Sequence, residues 1–217
     1  MIIMKRTFTN RLICYFVGLF IMTIGIALSV KSDLGVSPVS SIPYTLTVCC
    51  EIEMGRATVL FHCVLIVIQI IILRKNFKLK SLLQLPVGIV FGFFTTFCNS
   101  LIERLPSTDN YFIRICMILI SVVLVAIGIF LYLPADIMSL AGEGVMQAVS
   151  DTLKIEFSKV KVAFDVTMVI ISLVTCLIVL HTLGSVGIGT VIAALLVGIV
   201  LGQIKKLWTK HTNPSKK

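Results

Sequence analysis

The sequence predicts an all-α integral membrane protein. Six transmembrane helices form two inverted three-helix repeats, each with a short amphipathic or re-entrant helix after its first span. Three observations predict this. The 217-residue chain is 58% hydrophobic and 13% charged, with a mean hydropathy of +1.08, whereas soluble domains are roughly 45–50% apolar and about 25% charged. Six apolar runs are long enough to cross a bilayer, which takes roughly 20 residues. The two halves of the chain match at a constant offset of 103 residues. This composition excludes a disordered chain, a disulfide-rich secreted domain and an ordinary cytosolic enzyme.

The first span is Leu12–Val30, behind Lys5, Arg6 and Arg11. Its run of about 19 apolar residues exceeds the 7–15 of a cleaved signal peptide, so it is kept as a membrane helix. The second is Ala57–Leu73, ended by Arg74 and Lys75. The third is Leu82–Ile102, ended by Glu103 and Arg104, and the fourth is Ile113–Leu133, ended by Pro134. The fifth is Val162–Leu180, ended by His181, and the sixth is Val186–Ile204, ended by Lys205 and Lys206. Together they make one transmembrane domain over residues 1–217. The first repeat covers about 12–104, the second about 113–206, and a basic tail covers 205–217.

The net charge of +9 suggests no nucleic-acid partner, because it sits at the ends of spans. Lys5, Arg6 and Arg11, then Arg74, Lys75, Lys78 and Lys80, then Lys205, Lys206, Lys210, Lys216 and Lys217 occupy three segments without an acid. Six spans put all three on one side, and the excess of Lys and Arg makes that side cytoplasmic, with both termini.

The repeat aligns Ile24–Leu73 with Ile127–Cys176 without a gap. Asp33 meets Asp136, Ile52-Glu53 meets Ile155-Glu156, and Arg56 meets Lys159. Each unit has three spans, so the two must enter the membrane from opposite sides, a construction common in secondary transporters. The charges agree: Arg74–Lys80 is basic, while its counterpart Leu177–Leu183 carries no Lys or Arg. The segments 34–50 and 137–153 are too short and polar to span, yet too apolar for solvated loops. Each reads as a short helix lying at the interface or dipping back into the membrane. Irregular backbone at depth needs cover from protein or a water cavity, so such a pair points to a central site.

Two motifs carry a family resemblance. Asp33-Leu34-Gly35-Val36-Ser37-Pro38, after a first span containing Gly25, resembles the DLGVSPW signature of the YczE/YyaS/YitT-type bacterial membrane proteins, with Val39 where that family often has Trp. Gly187-Ile188-Gly189-Thr190 followed by Ala193-Ala194-Leu195-Leu196-Val197-Gly198 is similar to the family's sixth-span motif GxGTxxNALLVG, with Ala193 at the usual Asn. The resemblance covers nearly the whole chain. It implies a multi-pass protein of the bacterial cytoplasmic (inner) membrane and no settled substrate.

Ionisable groups in membrane spans are costly and are functional candidates by default. Asp33 and Asp136 lie just past the first and fourth spans, as a symmetric pair for a cation, a proton or an amine, or as helix ends reaching water. His62 and Asp165 are equivalent positions inside the second and fifth spans. Lys161 precedes Asp165 by one helical turn and is placed to pair with it. Glu143 and Gln147 share a face of the second short segment, lining a cavity or facing water. Ser37, Ser40 and Ser41 offer hydroxyls on the first. Gln69 and Asn99 read as interhelical hydrogen-bonders.

No phosphate loop, paired-histidine metal motif or nucleophile elbow is present, so no enzyme activity, metal site or cofactor is expected. Cys49-Cys50, the adjacent pair among the seven cysteines, does not read as a metal or redox site. The expected function is a small secondary transporter or permease. The alternative is a non-transporting scaffold or accessory subunit. The expected partners are the lipid bilayer and a small solute or ion, and six helices leave room for a homodimer.

Overall fold

The structure, a computed structural model, describes residues 7–182 and 184–212. Lys5, Arg6, Lys216 and Lys217, counted above for topology, lie outside the described residues, as does the side chain of Lys210. Among the described residues the chain forms eight α-helices and no strand. They are α1 (Phe8–Ser32), α2 (Pro38–Cys50), α3 (Met54–Leu73), α4 (Gln84–Glu103), α5 (Tyr111–Tyr132), α6 (Ala141–Leu153), α7 (Phe157–Leu180) and α8 (Ile188–Thr212).

All except α2 and α6 are long and apolar enough to cross a membrane. Those two have 13 residues each, about 20 Å of helix, which falls short of the roughly 30 Å hydrocarbon core. The helices outrun the apolar runs at four starts, by most at α1 and α7. α1 begins at Phe8 rather than Leu12, and α7 at Phe157 rather than Val162. Their polar first turns (Thr9, Asn10 and Arg11; Ser158, Lys159 and Lys161) continue the helix beyond the apolar stretch.

The ends follow local chemistry. Asn110 caps α5 by accepting from the Phe112 N–H at 3.0 Å. Pro38 opens α2, where a missing N–H costs nothing. Asp33, Glu51, Asp136 and Lys154 end their helices with φ of 51, 54, 50 and 57°, in the left-handed region where Asp is among the better tolerated residues. These bounds recur 103 residues on. Phe8–Ser32 corresponds to Tyr111–Ala135, Pro38–Cys50 to Ala141–Leu153, and the start of α3 at Met54 to the start of α7 at Phe157.

α1 and α5 form the centre and run antiparallel. Near one end Arg11 donates to the carbonyls of Ala135 and Asp136; near the other, Arg114 donates to those of Ser32 and Asp33. Between these ends Gly18 lies against Gly128, and the Ser121 hydroxyl donates to the Gly25 carbonyl at 2.6 Å. α4 packs on α1, and α8 on α5. α2 packs on α7 and α3, and α6 on α3 and α7. One core gathers Tyr15, Leu19, Met22, Phe91, Tyr132 and Leu140. A second gathers Phe61, Leu65, Ala141, Val145 and Met168, with Val39 and Ile42 against it. The outer face stays apolar, with Ile71, Phe93, Ile178 and Leu195 exposed.

Candidate functional site

The candidate site lies where the two short helices begin. Ahead of α2, the extended stretch after Asp33 is clamped to the start of α8. The Gly189 N–H donates to the Leu34 carbonyl at 2.7 Å, and the Val36 N–H to the Ser185 carbonyl at 3.2 Å. Gly35 has φ +101°, and a Cβ there would sit 2.6 Å from the Gly187 nitrogen and from Thr190 Oγ1. A side chain is excluded by both strain and space. The two motifs that carry the family resemblance are therefore one contact.

α2 then runs along α7. Ser41 receives the Ser172 hydroxyl at 2.8 Å and lies 3.4 Å from the Met168 carbonyl, near the middle of α7. Thr45, a turn later, meets Ser185 at 2.6 Å and Cys176. α6 docks on α3 in the corresponding way. The Gln69 amide donates to Gln84 Oε1 at 2.8 Å and to the Ala141 carbonyl at 3.2 Å. Gly144 lies under that pair, and a Cβ there would be 2.6 Å from both amides. Between the two first turns, a Cβ on Gly142 would lie 3.8 Å from Val39 Cγ1. The N-terminal ends of α2 and α6 thus approach each other inside the bundle.

Glu143 is the carboxylate of this region. Its Oε2 accepts the Leu140 N–H at 2.9 Å, capping its own helix. Its Oε1 accepts the Tyr132 hydroxyl. Tyr132 is 1% exposed and stands edge-on to Tyr15 with centroids 6.0 Å apart. The Tyr15 hydroxyl donates to the Met138 carbonyl at 2.8 Å, holding the strap before α6. Burial pushes the Glu143 carboxyl above the usual carboxylate range; the Tyr132 hydroxyl, the Leu140 N–H and the charge of Lys161 pull it the other way. A half-buried carboxyl paired with a buried phenol can hold and release a proton.

The other sequence candidates are placed elsewhere. Asp33 and Asp136 do not form a pair. They lie at opposite ends of the antiparallel helices, with roughly 35 Å of helix between them. Asp33 is bound to Arg114 at 2.7 Å with its carboxylate 79% exposed, and Asp136 is exposed. Lys161 and Asp165 pair at 2.7 Å along α7, leaving Asp165 Oδ1 without a partner. His62 is buried at the α3–α4 crossing, stacked on Phe91 with centroids 5.8 Å apart, and its Nδ1 has no partner. Gln147 separates from Glu143, bonding Asp151 at an exposed position. The Ser37 hydroxyl donates to Ser40. Gln69 makes the interhelical bond expected of it. Asn99 does not: its amide returns to the Thr95 carbonyl of its own helix.

Tyr15, Tyr132, Gln84 and Arg114 were not singled out from sequence, and Arg11 was read only as a topology charge. Arg11 and Arg114 carried a signal, since they are identical residues at the offset of 103, about a dozen positions ahead of the aligned stretch. The tyrosines carried none, because their meeting depends on the register between α1 and α5. A cavity of about 10 Å³, enough for about one water, is lined by Ser29, Ser37, Ser121 and Ala193 among others. Among the described residues no cluster of three or more metal-ligating side chains occurs.

The chain is 26% identical over 204 residues to the uncharacterized protein YyaS of Bacillus subtilis (strain 168), covering 91% of this chain and 93% of that one. It is 23% identical over 199 residues to the uncharacterized membrane protein YczE of the same organism, covering 91% and 86%. No solved structure matches it. A family model described as a family of unknown function, DUF6198, matches residues 9–206, from the first turn of α1 into the basic end of α8, and the chain belongs to that family of membrane proteins.

Proposed function

We propose that the chain is a small secondary transporter or permease of the bacterial cytoplasmic membrane, not an enzyme, moving a small solute between two inverted three-span repeats. The approach of Val39 to Gly142 carries this reading. The two are equivalent positions of the halves, and equivalent positions meet only near a two-fold axis. The recurring element bounds and the antiparallel α1 and α5 support inverted topology. The reciprocal docking of α2 on α7 and α6 on α3 supports the same exchange. The course of α2, from the middle of α7 towards its end, supports a re-entrant helix. Short helices starting at the centre of inverted repeats are a recurring location of transporter sites.

Both termini then face the cytoplasm. Glu143 with Tyr132, Gln69 and Ser37 are the residues of the solute and ion path. His62 and the Lys161–Asp165 pair flank it, while Asp33 and Asp136 serve as helix ends. The small central cavity fits the closed stage of an alternating-access cycle.

A melting-shift screen of the detergent-purified protein against ions, amino acids, amines, sugars and nucleobases tests the reading. A solute at 100 times its Kd should stabilise the fold by about 2.7 kcal/mol, with flux of that solute into proteoliposomes. A folded sample that responds to nothing and co-purifies with a fixed partner would instead favour an accessory subunit. One observation favours that second reading. The apolar stretches of α7 and α8 are each 17% buried, against 39% and 28% for those of the α3 and α4 spans, and α7 and α8 scarcely touch among the described residues.

A further inference from the structure

We propose that the Glu143–Tyr132 pair is a proton-binding site, and that the ion driving this protein is a proton rather than a metal cation. The proposal rests on the transporter reading for its purpose, but the site stands on its own geometry. Both oxygens of Glu143 face donors: the Leu140 N–H and the Tyr132 hydroxyl. A bound sodium or calcium ion needs several oxygen acceptors turned towards it. Here the contacts are of the opposite kind, and the phenol is the one neighbour able to reverse.

That reversal suits a proton. With Glu143 ionised, Tyr132 donates to it. With Glu143 protonated, the new O–H donates to the phenol oxygen while the other oxygen keeps the Leu140 N–H. One proton is taken from water and one O–H bond forms at Glu143; nothing else is made or broken. Glu143 keeps both partners in either state, and in the protonated one the phenol's own hydrogen is turned away from it.

The surrounding charges are already committed. From α7, Lys161 bears on Glu143 but is bonded to Asp165. From α1, Arg11 is turned to the Ala135 and Asp136 carbonyls, and the Tyr15 hydroxyl to the Met138 carbonyl. α3 and α4 present the neutral amides of Gln69 and Gln84 beside Gly144, and His62 lies further along α3, against Phe91. Among the described residues no ion pair reaches Glu143. Its charge is therefore held by the first turn of α6, where an anion is favoured. Proton uptake removes that charge and loosens the start of α6, the element that meets α2.

Infrared difference spectroscopy of the full chain in liposomes, titrated with acid in choline, potassium and sodium buffers, tests this without any solute. A protonated-carboxyl band should rise as pH falls, vanish in Glu143→Gln and shift in Tyr132→Phe, with the same midpoint in all three salts. If Glu143→Gln does not fold, loss or displacement of the band in Glu143→Asp and Tyr132→Phe serves instead. A band that none of these variants alters, or no band at all, overturns the proposal. So does a midpoint displaced by sodium, which would assign the site to a metal cation. A Glu143 band in a protein that moves no solute would sink the transporter reading alone.

Discussion

Arg11 and Arg114, 103 residues apart, each cap the end of the other's helix. Arg11 donates to the carbonyls of Ala135 and Asp136, and Arg114 to those of Ser32 and Asp33. The last carbonyls of a helix have no partner within it, and a guanidinium fork satisfies two at once. Arg114→Ala and Arg11→Ala should therefore each lower stability by about 1.5–3 kcal/mol, the range for bonds to charged groups. Lysine at either position should restore less than half, since it cannot fork. Asp33→Ala should cost under about 1 kcal/mol, because its carboxylate is exposed. Equal losses in Asp33→Ala and Arg114→Ala in denaturant melts would show the ion pair, not the capping, to be what matters.

These arginines also show what was legible. Arg11, just before the first span, read as a topology signal and Arg114 was not singled out; the structure gives both a task that hydropathy does not encode. The six spans were legible because a bilayer crossing demands about 20 apolar residues whatever they pack against. Asp33 and Asp136 were legible as helix ends. They do not meet because they stand at opposite ends of the antiparallel α1 and α5, whereas Val39 and Gly142, at the same offset, lie where the two short helices approach. Glu143 and Gln147 share a helical face by spacing, yet Tyr132 claims one and Asp151 the other. Spacing along one helix cannot tell which neighbour will arrive.

Gly144 should tolerate nothing larger. A Cβ there meets Gln69 and Gln84 at 2.6 Å, and forcing atoms into a packed site costs typically 1–3 kcal/mol. Gly144→Ala should fall in that range. Gly198→Ala and Gly202→Ala, with nothing within 4 Å of the added carbon, should stay within about 0.5 kcal/mol of wild type. If melts show the α8 changes to be the costly ones, another molecule covers that face.

His62 is buried with Nδ1 unpartnered. An unmade hydrogen bond in the interior is expensive, whereas an apolar side chain of similar size has none to lose. His62→Leu should melt within about 1 kcal/mol of wild type, or above it. A loss beyond about 2 kcal/mol would reveal a water or ion bonded to the imidazole.

Stability should depend on pH through Glu143. Its folded pKa is raised, so the native state keeps a proton that the unfolded chain gives up. That contribution is complete below the unfolded carboxylate value, about 4.3, and is lost as pH rises through the folded value. Glu143→Gln is neutral throughout. The melting temperatures of wild type and variant should run parallel in acid, with wild type falling away from the variant as pH rises. A gap that widens on acidification would mean that Tyr132 and Leu140 stabilise the carboxylate more than burial opposes it.

The proposed inverted arrangement has a sharp consequence at Glu51 and Lys154. Each ends its short helix in the left-handed conformation, and the two are 103 residues apart. In a parallel repeat they would face the same compartment; in an inverted one they must face opposite compartments. Reporter fusions in cells decide between them. A phosphatase active only outside the cytoplasm should work when joined after residue 51, after residue 107 between α4 and α5, and after Gly184. A fluorescent protein that folds only inside should work after Asn76, after Lys154 and at the C-terminus. The basic stretch Arg74–Lys80 predicts the sense of the pattern, since Lys and Arg are held on the cytoplasmic side. Reversal of every signal would flip the orientation and leave the repeat intact. Fusions after residues 51 and 154 that report from one side would sink the inverted reading, and with it the two-fold axis through Val39 and Gly142.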